Sequence, residues 1–94
     1  ETGNELPNTI ELSQNYPNPF NPSTTINYGV PQTGLVTLGV FNVLGQKVAA
    51  LVNTNQNAGR YSVTFDASNL SSGLYFYRLQ TAGKVLTEKM MLIK

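Results

Sequence analysis

The stretch Asn15-Tyr-Pro-Asn-Pro-Phe-Asn-Pro-Ser-Thr-Thr-Ile26 constrains this chain more than any other. Pro17, Pro19 and Pro22 each fix φ near about −65° and bias the residue before them away from the helical region. Tyr16, Asn18 and Asn21 are therefore expected in extended or turn conformations. Neither a helix nor a regular ladder can run through such a segment. Tyr16 and Phe20 are too apolar for a bare linker, so the segment is expected to pin both rings onto one end of a folded core. A strand then starts at Thr24.

The rest of the chain supports that reading. Ile26, Tyr28 and Val30 alternate with Thr25, Asn27 and Gly29, the period of a half-buried strand. Pro31-Gln-Thr-Gly34 is a turn signal, and Val36, Leu38 and Val40 form the apolar face of the next strand. Asn42-Val-Leu-Gly45 makes a tight connection in which Gly45 supplies a positive φ. Gln46–Val52 has a mixed pattern that admits a strand or a short helical reading of Val48, Leu51 and Val52. Tyr61, Val63 and Phe65 alternate cleanly. Asp66–Gly73 is a crossover, expected to hold a turn of 3₁₀ helix, with Leu70 plugging back into the core. Leu74–Leu79 is apolar on both faces, as in a central strand, and Thr81-Ala-Gly-Lys84 is a hairpin turn. Val85–Ile93 is the last strand, its two faces not cleanly separated. The outcome is an all-β, immunoglobulin-like antiparallel β-sandwich of about seven short strands with no significant helix. Leu70-x-x-Gly73-x-Tyr75 sits where a tyrosine corner or a plain core tyrosine would fit.

Composition bounds the function classes. With 94 residues the chain holds one domain. Only 12% of residues are charged and the net charge is +1, so no clustered basic face marks a nucleic-acid binder. Cysteine and histidine are both absent, which removes a disulfide framework, thiol ligands and the usual general base. The carboxylates Glu1, Glu5, Glu11, Asp66 and Glu88 share no catalytic spacing. Asp66 with Asn69 suits an Asx turn better than a calcium site. The chain therefore reads as no enzyme, with no cofactor and no metal. Aromatics at period two are core and cross-strand packing before they are a sugar platform.

Four blocks in order carry a family resemblance. They are Tyr16-Pro-Asn-Pro-Phe-Asn-Pro-Ser-Thr-Thr-Ile26, Val36-Thr-Leu-Gly-Val-Phe-Asn-Val-Leu-Gly-Gln-Lys-Val48, Phe65-Asp-Ala-Ser-Asn-Leu-Ser-Ser-Gly-Leu-Tyr75 and Lys89-Met-Met-Leu-Ile-Lys94. Together they resemble the C-terminal type A sorting domain of the type IX secretion system. The resemblance implies a domain over residues 15–94 that directs an attached N-terminal cargo through the outer-membrane translocon. It implies a secreted or cell-surface location in a Gram-negative bacterium, reached through the periplasm and outer membrane. It also implies a sortase-like protease that removes the domain, with cargo release or attachment to lipopolysaccharide. Residues 4–14 would then be a linker or short edge strand holding the cleavage region, and residues 1–3 an engineering or cleavage scar.

By the same resemblance, translocon recognition would involve Leu70, Gly73, Tyr75, Lys89, Leu92, Ile93 and Lys94. Tyr16, Pro17, Asn18, Pro19, Phe20, Asn21, Pro22 and Gly45 would be structural. Gly39 departs from the pattern, where a larger strand residue is expected, and marks a bulge or a close approach. The last strand is expected to expose unpaired backbone groups that add to a partner's sheet, or pair with a second copy as an edge-strand dimer of an otherwise monomeric domain. A carbohydrate-binding or structural immunoglobulin-like accessory module of a secreted hydrolase is the competing reading.

Overall fold

Side-chain alternation decides which residues meet in the core. In β2 (Ser23–Val30), Thr24, Ile26, Tyr28 and Val30 turn inward and are buried. In β3 (Gly34–Phe41) the inward set is Val36, Leu38 and Val40, each almost wholly removed from solvent. β5 (Gly59–Asp66) contributes Phe65, and β6 (Gly73–Thr81) contributes Tyr75, Tyr77 and Leu79. β7 (Lys84–Leu92) completes the core with Met90 and Leu92. These side chains converge from two antiparallel sheets, β1-β2-β5 and β4-β3-β6-β7, where β1 is Glu11–Leu12 and β4 is Lys47–Gln56. This computed structural model describes residues 6–94, and the scar expected at residues 1–3 lies outside them. Seven strands in two stacked sheets, with no helix among the described residues, form the expected immunoglobulin-like sandwich.

Several local expectations need correction. β4 is a strand throughout, but its register against β3 shifts between Leu38 and Gly39 and again between Val40 and Phe41. Each shift inserts one extra β4 residue, Leu51 and Val48, and a bulge of this kind breaks strict alternation. The mixed pattern of that segment is therefore two bulges and no helix. Gly39 marks a close approach as well as a bulge: a Cβ there would lie 3.3 Å from both the Phe41 ring and Lys47 Cε. The Asp66–Gly73 crossover contains no 3₁₀ helix; Leu70 N donates to Ala67 O at 3.0 Å in a single turn, and Leu70 packs against the core. Asp66 Oδ1 accepts from Ser68 N at 3.0 Å and from the Ser68 hydroxyl, which is the Asx turn.

At the N-terminal side, β1 pairs with β2, and Ile10 and Leu12 pack against the core. Pro7 is buried, 3.2 Å from where a Gly29 Cβ would stand. Of the two rings in the proline-rich segment only one is pinned. Phe20 is 2% exposed and its ring meets Phe65 with centroids 6.2 Å apart, whereas Tyr16 is 79% exposed. The reason lies in the backbone. Tyr16 exchanges two hydrogen bonds with Thr25, of 3.0 and 2.9 Å, so it continues the β2 edge with its ring facing solvent. The segment takes bends at Pro17–Pro19 and Asn21–Pro22, within the extended or turn conformations expected of it, and its three X-Pro bonds are cis.

The largest correction concerns β7. Its outer edge from Lys89 to Ile93 is not open, because the proline-rich segment lies along it. Strand addition through that stretch, whether to a partner's sheet or to a second copy, would require this cover to leave.

Candidate recognition surface at the covered edge

The cover is built from side chains because prolines cannot donate. Gln14 Nε2 donates to Lys89 O at 2.8 Å, and Asn18 Oδ1 accepts from Met91 N at 3.0 Å. Phe20 then takes over with its backbone, donating to Met91 O and accepting from Ile93 N, both at 3.0 Å. Four hydrogen bonds in sequence thus clip residues 14–20 to β7. The clip is anchored from below by a buried polar knot. Asn15 Nδ2 donates to Thr24 Oγ1 at 2.9 Å and to Pro17 O at 3.1 Å. Thr24 Oγ1 donates to the same carbonyl at 2.9 Å, and Asn15 Oδ1 accepts from Gln14 Nε2 at 2.7 Å. Asn15 and Thr24 are both 2% exposed, and no buried side-chain polar atom among the described residues lacks a partner. A satisfied knot of this kind fixes one geometry, where a half-satisfied one would be costly.

The residues expected to mediate recognition divide into two groups. Gly73 pairs with Leu92, and its φ of +151° is disfavoured for residues with a side chain. Tyr75 is buried and its hydroxyl donates to Ser71 O, four residues upstream, at 2.7 Å, which is tyrosine-corner geometry. Leu92 is fully buried beside Phe20, and Leu70 is half-buried. These four residues serve the fold, three by packing and Gly73 by its backbone. Lys89, Ile93 and Lys94 are exposed, Ile93 at 51%. Lys94 N donates to Ser72 Oγ at 3.0 Å and its ammonium donates to Ser68 O at 2.6 Å, so the chain beyond β7 is tied to the crossover. The Asp66 carboxyl is held below its ordinary range, chiefly by the Ser68 hydroxyl and N–H, with the Lys94 charge adding to them.

Periodicity along β7 also shows what the sequence pattern obscured. Leu86, Met90 and Leu92 face the interior, while Val85, Met91 and Ile93 face out. Met91 is therefore part of the exposed row, with Lys89 and Ile93 on either side of it. Gln14 is the other functional-site residue that sequence reasoning missed. A second exposed apolar pair, Val43 and Leu44, lies at the β3–β4 turn. There Gly45 has φ +83°, its N–H donates to Asn42 O at 3.0 Å, and Asn42 Oδ1 accepts from Leu44 N and Gln46 N. On the outer face of the four-stranded sheet, Phe41 and Phe76 are cross-strand neighbours. The Arg78 guanidinium lies over the Phe41 ring at 4.6 Å from its centroid, with Lys47 Nζ at 5.8 Å. At the opposite end a groove of about 260 Å³ runs between Asn8–Ile10, Pro31–Val36 and Thr81–Lys84, and Lys84 is the one titratable side chain that lines it.

Of the comparisons with known proteins, the family profile alone bears on the sequence blocks. No curated protein matches the chain. Among solved structures, the fold is similar to part of an alkylpurine DNA glycosylase from Pseudomonas fluorescens bound to DNA containing an abasic site analogue. That likeness has 13% identity and a TM-score of 0.48, and covers 90% of this chain but only 30% of that one. Residues 14–94 match the family profile described as the secretion system C-terminal sorting domain. That match begins at Gln14, where the clip begins, and takes in every strand from β2 to β7. The chain belongs to the C-terminal sorting domains of type IX secretion, the signals that direct an attached protein out of the cell.

Proposed function

We propose that the folded sandwich acts as a non-catalytic address, read at the exposed row Lys89, Met91, Ile93 and Lys94. The reader is the outer-membrane translocon, and the cargo is attached on the N-terminal side of β1. A sortase-like protease then cuts between the cargo and β1, and the cargo is released or joined to the surface. The observation that carries this reading is the pairing of opposite fates in adjacent residues. Leu92 is fully buried while Ile93 is half exposed, on a strand whose edge bonds are already taken. Packing accounts for Leu92 and leaves Ile93 available for recognition through its side chain.

The test must separate reading from folding. Deleting Leu92–Lys94 removes a core residue and would block export through loss of the fold alone. Residues 4–94 should instead be fused to a periplasmic reporter in a host carrying this secretion system, with Ile93→Ala and Lys94→Ala introduced together. The expected result is a domain that melts close to the parent yet is retained in the periplasm. Normal export of the folded double variant would move recognition elsewhere on the domain.

A further inference from the structure

The four sheet edges are not equally protected. β1 is two residues long, β4 is broken by two bulges, and β7 is clipped from Lys89 to Ile93. β5 is different. It pairs with β2 in unbroken register from Gly59 to Asp66, contains neither proline nor lysine, and lies at the end of its sheet. Among the described residues, no bulge, proline or paired strand blunts this edge.

The direction of its backbone groups follows from β2. Thr25 and Asn27 bond towards the β1 side, to Tyr16 and Ser13. By alternation, Ile26 and Tyr28 bond to Val63 and Tyr61, so the backbone N–H and C=O groups of Arg60, Ser62, Thr64 and Asp66 face away from the sheet. We propose that β5 is a self-complementary docking edge that pairs antiparallel with β5 of a second copy about a twofold axis at Val63.

The sequence of the strand sets that register. About Val63, Ser62 stands opposite Thr64, Arg60 opposite Asp66 and Tyr61 opposite Phe65. The two pairs that use outward backbone groups, Ser62 with Thr64 and Arg60 with Asp66, are the hydrogen-bonded ones. Each charge meets its opposite, the Ser62 hydroxyl meets that of Thr64, and the Tyr61 ring meets that of Phe65, which are favourable cross-strand pairs. Arg60 already pairs with Glu11 at 3.2 Å, and Asp66 would extend that arrangement across the axis. Val63 and Tyr61, half-exposed in one copy, would be covered by Val63 and Phe65 of the other. The arrangement is isologous, so it closes at two copies.

The chain has no cysteine, so a single introduced thiol reports its own partner. Residues opposite one another in a non-hydrogen-bonded antiparallel pair have Cα atoms about 4.5 Å apart, within the span a disulfide needs. Val63→Cys should therefore give a disulfide-linked dimer under mild oxidation, whereas Thr64→Cys, which faces Ser62 of the partner, should not. In the unsubstituted chain, sedimentation should show the mass rising from 10.2 kDa towards twice that value with concentration. Exchange of the Ser62 and Thr64 amides should slow in step. A mass that stays at 10.2 kDa with concentration-independent exchange would overturn the proposal. So would equal crosslinking of the two cysteine variants, because it would remove the register.

Discussion

Phe20 and Tyr16 look alike in sequence and behave as opposites in the fold. Phe20→Ala empties a buried site against Phe65 and is expected to cost about 3–5 kcal/mol, read from urea unfolding. Tyr16→Ala removes a ring that faces water and should stay within about 0.5 kcal/mol of the parent. Similar losses for both would mean that the Tyr16 ring is packed. Gly45→Ala is a backbone test of another kind. With φ at +83° and open space around the Cβ position, the penalty is conformational only, about 1–2 kcal/mol. A neutral result would show that the turn relaxes to another shape. Neither ring's fate was legible locally, since the prolines next to both break any periodicity that would assign a face. What separates them is the partner across the gap, Thr25 for one and Leu92 for the other.

Among elements, strands with clean alternation were legible and irregular ones were not. β2 and β5 could be read residue by residue because each has one buried face and no bulge. β4 could not, because two inserted residues move apolar side chains out of phase. β7 hid its faces because Met91 and Ile93 are apolar yet point outward, a pattern that local hydrophobicity cannot distinguish from core. The clip over β7 was invisible for a deeper reason: Gln14 and Lys89 are 75 residues apart, and a polar side chain carries no sign of so distant a partner. Its contribution is testable at Asn18. Asn18→Ala leaves the Met91 N–H without its acceptor and should cost about 1 kcal/mol. Faster exchange of that amide, with the β6 amides unchanged, is the expected signature. Unchanged exchange at Met91 would mean that the clip does not shield the edge.

For the molecule as a whole, alkaline pH is the condition that strains the sandwich. Burial pushes the Tyr77 hydroxyl up to about 12, and raises Tyr28 as well. The folded state therefore favours the neutral phenols. Their contribution is complete below about pH 10, where an unfolded tyrosine titrates, and is lost as pH rises towards about 12. The thermal midpoint should fall across that window, and Tyr77→Phe should flatten the fall. A steep decline retained in Tyr77→Phe would place the titrating group elsewhere. Fold class and the sorting role were legible at this scale, since four ordered blocks and the turn chemistry between strands point the same way. The surface that a partner reads was not, because exposure is a property of the assembled sandwich. One consequence belongs to synthesis. The clip joins the first residues of the sorting domain to its seventh strand, so a ribosome must finish β7 before the segment at 14–20 has anything to close upon. Folding of so non-local a pair waits for β7. A product truncated before Leu92 would lack both the partner of Phe20 and the Ile93 amide, so the clip could not close. Closure of the clip thereby reports that synthesis has passed the last core residue of β7.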